Sequence, residues 1–390
     1  MDYRSIILTS GVLTLLAIAT LVAEFFRNRP SGIDAATLSS CRSRINAWWL
    51  LFGSLVCSLL LGTAFTTLFF GIVAFWALRE YVTITPTRLA DHKMLVGVFF
   101  VLTPLQFLLV GVDSKWFANT FRYDPYFFYS AMIPSLALLV LPACVALSDD
   151  TKYFLERIAK LQVGLLICVY SLSFVPALLT ISLPERVVTA NASTDVSDLP
   201  AADLGHVVIS PFEQSVSALP SSQDDVADSH DVHDGEVQNS DDQKNVKSPS
   251  KHPRNPTSNV TLLFIFVLLT QISDFSQYSW SLIFSKHKIA PHVNSNRTYE
   301  GLILGILTTM LFAIALWKFT PFDAWEKAAF AGIVISCMGF AGNITVSAIK
   351  RDQGVDDYGE LIEGHNGVLD RIDSLCFAAP VFFHYVRFFC

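Results

Sequence analysis

The chain has 390 residues, of which 52% are hydrophobic and only 16% are charged. Soluble domains carry about 25% charged residues, so this composition indicates a protein that is largely surrounded by lipid. The basic residues form no patch of the kind that binds nucleic acid, which excludes that class of partner. The seven cysteines show no C-x-x-C or His/Cys spacing, which argues against a disulfide framework or a zinc site.

Long apolar runs recur along the chain. The first, residues 5–23, is followed by Arg27 and Arg29, and we expect it to be a retained anchor rather than a cleaved leader. Residues 48–78 carry no charge and are too long for one ordinary span, so they form either one tilted helix or a hairpin near Gly62. The stretch that contains them extends to residue 82, and the later predicted spans are 94–112, 127–147, 161–183, 260–284, 301–317, 328–349 and 375–389.

The distribution of Lys and Arg among the predicted loops favours a hairpin at Gly62. With that hairpin, 16 basic residues fall on one side of the membrane and 6 fall in the short segments of the other side. The positive-inside rule then places the first side in the cytoplasm. We therefore predict an all-α polytopic membrane protein with about ten transmembrane helices.

Residues 185–258 differ in kind from the rest of the chain. Residues 185 to 254 hold 13 acidic and 5 basic side chains and few large apolar ones, which predicts a disordered acidic insert. The topology places this insert outside the cytoplasm. Its His230 and His233 could bind a metal weakly, but a solvated loop is the favoured interpretation. The predicted organisation is N-terminal transmembrane helices in 1–184, the insert in 185–258, and a catalytic transmembrane region in 259–390.

Asp274 lies inside an otherwise apolar predicted span. A carboxylate at that depth costs a few kcal/mol unless it faces a wet cavity, a cation or a hydrogen-bond network. Tyr278 lies four residues later and shares its helix face. A pairing with another helix purely for packing is the alternative. The loop after this span contains Lys286 and Lys288, which suit phosphate groups.

A second polar cluster begins where a later span ends. Lys350 and Arg351 close that span, and Asp370 and Asp373 are three residues apart, so on a helix they point the same way. Paired carboxylates beside Lys and Arg are typical of sites where a divalent ion holds a triphosphate. From the residues alone, an ordinary charged loop at the membrane edge is equally open.

The order of these residues resembles the signature of the phosphatidate cytidylyltransferase family. The resemblance covers about residues 260–390 and also includes the upstream Asp274 block. Its motifs here are Ser347-x-x-Lys350-Arg351, Gly364-His365-x-Gly367, Asp370-Arg371-x-Asp373, Lys286-His287-Lys288 and Thr298-x-Glu300-Gly301. Four positions depart from the family pattern: Asn343 replaces an aspartate, Asp356 a lysine, Glu363 a proline and Asn366 a glycine.

The resemblance implies transfer of CMP from CTP to phosphatidate, with release of pyrophosphate. It further implies Mg²⁺ held by Asp274, Asp370 and Asp373, with a second monovalent or divalent cation left open. Lys350, Arg351, Lys286 and Lys288 would contact phosphates, and Ser347, His365, Thr298 and Arg371 would shape the substrate site. A homodimer in a bacterial inner membrane, with its active site facing the cytoplasm, is also implied.

Other functions are alternatives to this one. A CTP-dependent polyprenol or lipid kinase shares the Gly-His-x-Gly and Asp-Arg-x-Asp order, although the Ser-x-x-Lys-Arg block favours the cytidylyltransferase. A catalytically degenerate homologue that acts as a membrane scaffold is a second alternative, because of the four departures. A transporter is disfavoured, since the two halves show no internal repeat.

Overall fold

The computed structural model describes most of the chain outside the acidic insert. The described residues are 6–7, 9–14, 16–17, 20–21, 35–85, 91–112, 114–123, 125–147, 152–181, 259–284, 286–355 and 367–390. The predicted insert 185–258 and the site residue His365 therefore lie outside the described residues. The same holds for Asp356, Glu363 and Asn366.

Helices account for the described part of the N-terminal half. Three of them contain a short π-helical segment: Val98–Leu102, Leu136–Val140 and Leu165–Ser171. Prolines lie inside or next to these helices and interrupt the regular hydrogen-bond ladder, which favours such local widening. The helices are α1 (Ala35–Leu61), α2 (Thr63–Ile84), α3 (His92–Gly111), α4 (Ser114–Phe121), α5 (Pro125–Ala146) and α6 (Phe154–Ala177).

The long apolar stretch at 48–82 is broken at Gly62. Helix α1 ends at Leu61 and α2 begins at Thr63, and Gly62 between them has a φ of 108°. Glycine adopts this left-handed region without the steric penalty that a side chain would bring. The predicted break near Gly62 is confirmed, and the alternative of one continuous helix through this stretch is wrong.

The described residues of the C-terminal region form four α-helices, a short 3₁₀-helix at Trp317–Phe319 and one small hairpin. In this hairpin Lys288 pairs with Thr298 and Ala290 with Asn294, in antiparallel register. The sequence analysis expected only a basic loop here, because Asn294–Thr298 is polar and lacks the apolar alternation of a strand. The elements are α7 (Asn259–Ile283), β1 (Lys288–Ala290), β2 (Asn294–Thr298), α8 (Tyr299–Ala315), α9 (Trp325–Asp352) and α10 (Leu369–Phe389).

Within the described residues, seven helices are long and apolar enough to cross a bilayer: α2, α3, α5, α6, α7, α9 and α10. Two shorter apolar helices, Trp48–Leu61 and α8, coincide with further predicted spans. The N-terminal span 5–23 is described only in part and is helical where it is described. The predicted fold class, an all-α polytopic membrane protein, is confirmed.

Close helix contacts in the C-terminal region depend on glycine. A Cβ atom at Gly305 would lie 2.4 Å from the Cγ of Gln277, so α8 packs directly on α7. A Cβ atom at Gly342 would lie 2.6 Å from the carbonyl oxygen of Asp373, so α9 packs directly on α10. Small residues at helix crossings are a common means of close packing in membranes. The second crossing places position 343 next to Asp373.

Residues on either side of the predicted insert contact each other in the structure. Asn259, the first residue of α7, donates from Nδ2 to the carbonyl oxygens of Leu179 at 2.9 Å and Ile181 at 3.0 Å. These carbonyl groups follow the end of α6, where helix geometry leaves them without intrahelical partners. The chain therefore leaves after Ile181 and returns to the same place at Asn259.

Candidate active site

Asp373 is the central buried acid of the C-terminal region, with 4% of its surface exposed. Its Oδ2 accepts a hydrogen bond of 3.1 Å from Nδ2 of Asn343 on α9. The other end of the same amide, Asn343 Oδ1, accepts a bond of 3.1 Å from Nε of Arg297 on β2. Asn343 therefore connects a carboxylate to a guanidinium, with each end of the amide matched to the charge that it faces.

A second carboxylate joins this cluster through Ser374. The Ser374 hydroxyl lies 2.8 Å from Oδ1 of Asp274 on α7 and 3.2 Å from Oδ1 of Asp373. The backbone N–H of Ser374 also donates to Asp373 Oδ1, at 2.6 Å. The structure thus brings together Asp274 and Asp373, two of the predicted metal ligands, around a single hydroxyl group.

Asp370 lies one turn before Asp373 and forms an ion pair with Lys350. Its Oδ1 is 2.9 Å from Lys350 Nζ, and the two side chains are 10% and 15% exposed respectively. This pair joins the start of α10 to the end of α9. Because both groups are mostly shielded from water, their attraction is stronger than that of a surface pair. The structure therefore pairs Lys350 and Asp370, both predicted site residues, with each other.

Asn294 extends the polar cluster to Ser347. Its Nδ2 lies 3.2 Å from the Ser347 hydroxyl and 3.4 Å from Asn343 Oδ1. Asn294 begins β2 and Arg297 lies near its end, so this strand supplies two side chains to the face of α9. The hairpin therefore positions polar groups over the end of the helix, which a plain basic loop would not do.

The other predicted substrate residues occupy different surroundings. Thr298 is 2% exposed, and its hydroxyl accepts from the backbone N–H of Gly301 at 3.1 Å, which caps α8. Lys286 and Lys288 are exposed at the hairpin. Arg351 is exposed at the end of α9, and Arg371 is half-buried in the first turn of α10. The predicted roles of these residues in binding substrate stay predictions.

His287 pairs with Glu300 across the hairpin. Its Nδ1 lies 2.6 Å from Glu300 Oε1, and its backbone N–H lies 3.4 Å from Glu300 Oε2. The backbone N–H of Tyr299 in turn donates to the His287 carbonyl oxygen at 3.0 Å. These contacts fix the hairpin to the start of α8.

Sequence reasoning did not assign Arg297, Asn294 or Ser374 to the site. In the sequence Arg297 stands among the basic residues of a predicted loop, whereas the structure buries it to 7% exposure. A buried arginine needs hydrogen-bond partners, which polar site residues can provide. The position of Arg297 directly before the Thr298 motif was therefore the one sequence feature that could have suggested a place in the site. Ser374 carried no comparable signal, because a serine in an apolar helix commonly bonds to its own backbone.

The arrangement suits a polyphosphate and a hard cation. Within the described residues, no group of three or more His, Cys, Asp or Glu side chains is placed to hold a metal ion. Asp274 and Asp373 nevertheless supply two carboxylates, and Mg²⁺ is usually bound by one or two carboxylates, several waters and substrate phosphates. The residues present therefore fit such an ion. Lys350 and Arg297 add positive charge beside them.

Comparisons with known proteins show which family the chain is similar to. Residues 42–389 match the model of the cytidylyltransferase family. The chain is 28% identical over 384 residues to an uncharacterized protein of Escherichia coli, YnbB, and the match covers 96% of each chain.

Several relatives carry the name phosphatidate cytidylyltransferase, and two of them illustrate the match. The one from Haemophilus influenzae is 37% identical over 133 residues, and the one from Staphylococcus saprophyticus is 32% identical over 121 residues. These matches cover 33% and 31% of this chain. They cover 46% of each relative, so the chain matches less than half the length of the two named enzymes.

The family model includes every helix that contributes to the cluster, from α7 with Asp274 to α10 with Asp370 and Asp373. The predicted resemblance is confirmed at the level of the family. The chain belongs to the cytidylyltransferase family.

Proposed function

We propose that the protein transfers CMP from CTP to phosphatidate and thereby forms CDP-diacylglycerol and pyrophosphate. The family supports the coarser statement, a membrane transferase that uses CTP and acts on lipid. The identity of the lipid rests on the two named relatives, which match only part of this chain. Phosphatidate as the acceptor is therefore the proposed part.

One observation supports this function above all others: three carboxylates and two cations from four different elements lie together. Asp274 and Asp373 share the Ser374 hydroxyl, and Arg297 reaches the same cluster through Asn343. Lys350 lies one turn away, beside Asp370. A site for a nucleoside triphosphate needs side chains of both charges. Cationic side chains bind the phosphate oxygens, and carboxylates hold the metal ion that accompanies the triphosphate.

The reaction needs little covalent chemistry from the protein. An oxygen of the phosphatidate phosphate forms a bond to the α-phosphorus of CTP. The bond from that phosphorus to its bridging oxygen breaks, and pyrophosphate leaves with the electron pair. The attacking phosphate is anionic near neutral pH, so no strong general base is required. Positioning and charge stabilisation are then the main contributions.

In this proposal the acidic residues bind the metal ion and the basic residues bind the phosphates. Asp274 and Asp373 would hold Mg²⁺, which when bound supplies neutralisation of the triphosphate charge. Lys350 and Arg297 would bind phosphate oxygens, and Lys350 would exchange its bond to Asp370 for one to substrate. Arg351, Lys286 and Lys288 would draw the anionic substrates to the site. We place this face of the membrane in the cytoplasm, as the loop charges predict.

The test is turnover by purified protein in mixed micelles with CTP, phosphatidate and Mg²⁺. Pyrophosphate release is measured together with formation of the CDP-lipid. Equal amounts of both products, lost in Asp373→Asn, would support the proposal. Release of CDP with a newly phosphorylated lipid would instead identify a kinase. Folded protein without turnover under several divalent ions would favour a non-catalytic homologue.

A further inference from the structure

Glu80 is a buried acid far from the catalytic sequence motifs. It lies near the end of α2, in the N-terminal half, with 6% of its surface exposed. Its Oε1 accepts from the backbone N–H of Val368 at 3.0 Å, and its Oε2 accepts from that of Leu369 at 2.9 Å. Both carboxylate oxygens are therefore used by the start of α10.

Within the described residues, the start of α10 has no capping side chain from its own segment. The helix begins at Leu369, and Val368 before it makes no side-chain cap. The first N–H groups of a helix have no intrahelical acceptor, and the positive end of the helix dipole favours a negative charge there. Valine is among the poorest residues at this position. Glu80 supplies from another helix an acceptor that the side chain of Val368 cannot provide.

The turn that Glu80 holds carries the acidic residues of the proposed site. Asp370 directly follows Leu369, and its side chain is 2.9 Å from Lys350. Asp373 comes one turn later and meets Asn343 at 3.1 Å. A shift or fraying of the first turn would move both carboxylates, and displacements of about 1 Å at a site can cost on the order of a hundredfold in rate.

We propose that Glu80 is a positioning residue, which holds the first turn of α10 and thereby sets the places of Asp370 and Asp373. The inference rests on the proposed transferase function. Glu80 itself would touch no substrate, because both of its oxygens are occupied by backbone N–H groups. Its role makes the N-terminal helices a part of the site, although they contain none of the family motifs.

The test compares Glu80→Gln with a matched control, Glu156→Gln. Glu156 is an exposed acid of α6 that pairs with Lys160 at 2.7 Å. Two readouts are taken on the full chain in detergent: kcat and KM for CTP, and hydrogen exchange in the peptide that begins α10. Glutamine keeps the shape of the side chain but replaces one acceptor oxygen with an NH₂ group.

For Glu80→Gln we expect faster exchange at the start of α10 and a kcat lower by about tenfold, the size of one lost charge-assisted bond. The KM for CTP should change by less than about twofold, because no contact to substrate is removed. Glu156→Gln should match the wild type in both readouts. Adding Val368→Asp to Glu80→Gln provides a local cap and should recover part of kcat.

Unchanged exchange in Glu80→Gln would overturn the capping contact. Faster exchange with unchanged kcat would reduce Glu80 to a structural cap and overturn its role in positioning. If Glu80→Gln proves too unstable to purify, Glu80→Asp, which is shorter by one methylene, is measured in the same two ways. A wild type without turnover would overturn the proposed function, and the exchange experiment would still decide on the contact.

Discussion

Asn343 connects opposite charges through one neutral side chain. Its amide presents NH₂ to Asp373 at 3.1 Å and oxygen to Arg297 at 3.1 Å. The signature that the sequence resembles carries an aspartate at this position, so the resemblance implies that the asparagine removes one negative charge. The structure shows what the asparagine does in its place: it satisfies a buried carboxylate directly.

Asp373→Asn tests the proposed metal site by replacing one carboxylate oxygen with an NH₂ group. The change keeps the volume of the side chain and removes the charge that would hold Mg²⁺, so we expect turnover to fall by at least about a hundredfold. Membrane insertion and yield should be unchanged. The matched control is Asp323→Asn, since Asp323 is a surface acid 3.8 Å from Lys327. Normal turnover in Asp373→Asn would remove the metal assignment.

Asn343→Asp tests whether a carboxylate at position 343 and the carboxylate of Asp373 can bind one cation together. The variant would place a second carboxylate about one hydrogen-bond length from Asp373, and like charges at that distance repel. We expect a lower thermal midpoint than the wild type in EDTA, and a larger rise when Mg²⁺ is added, because an ion that binds the folded state stabilises it. Equal responses of the two proteins to Mg²⁺ would contradict this placement of the ion.

The sequence predicted the direction of some site side chains but not their hydrogen-bond and ion-pair partners. Asp370 and Asp373 were expected to point the same way, and both do face the cluster, although one pairs with Lys350 and the other with Asn343. Those partners depend on how α9 packs on α10, which no local spacing encodes. The contact of Glu80 with Leu369 spans 289 positions, so sequence periodicity could not reveal it.

At the scale of elements, the crossing of α9 and α10 sets the geometry of the cluster. Gly342 lies at the closest approach, one residue before Asn343. The sequence indicated both helices from their apolar runs and their ends. It did not indicate the hairpin of β1 and β2, because its residues are polar and the pairing depends on contacts with α9.

Gly342→Ala tests this crossing. The added methyl group would lie 2.6 Å from the Asp373 carbonyl oxygen, so α9 and α10 must separate. We expect a loss of roughly 1–3 kcal/mol in stability, with reduced turnover, measured as thermal unfolding in detergent. The control is Gly53→Ala in α1, where an added Cβ has no neighbour within 4 Å. Equal midpoints for the two variants would contradict the close packing.

At the scale of the whole molecule, the transmembrane organisation was the most predictable part. In an apolar run of about 20 residues that crosses a bilayer, a helix pairs every backbone N–H and C=O group within the segment. The apolar runs of the sequence therefore predict much of the transmembrane architecture. For the ambiguous stretch around Gly62, the distribution of basic residues favoured a hairpin, and the structure shows that the helix breaks there. The partners of each helix were not predictable, since apolar faces pack against lipid and protein alike.

Deletion of residues 195–248 tests the independence of the acidic insert. Asn259 ties the start of α7 to Leu179 and Ile181, so the helical framework closes on itself without the segment between them. We expect turnover within about twofold of the wild type, because the cost of closing a loop changes slowly with its length. A folded deletion variant without activity would show that the insert contributes to the site.

The bonds made by Asn259 also give the molecule a natural attachment point. A compact domain whose own termini are adjacent, such as a fluorescent reporter, could replace the segment between Ile181 and Asn259 without straining either helix. The reporter would then emit on the side of the membrane where the connection lies. A quencher that cannot cross the bilayer would thus establish the orientation of the protein, and with it the compartment from which the nucleotide enters.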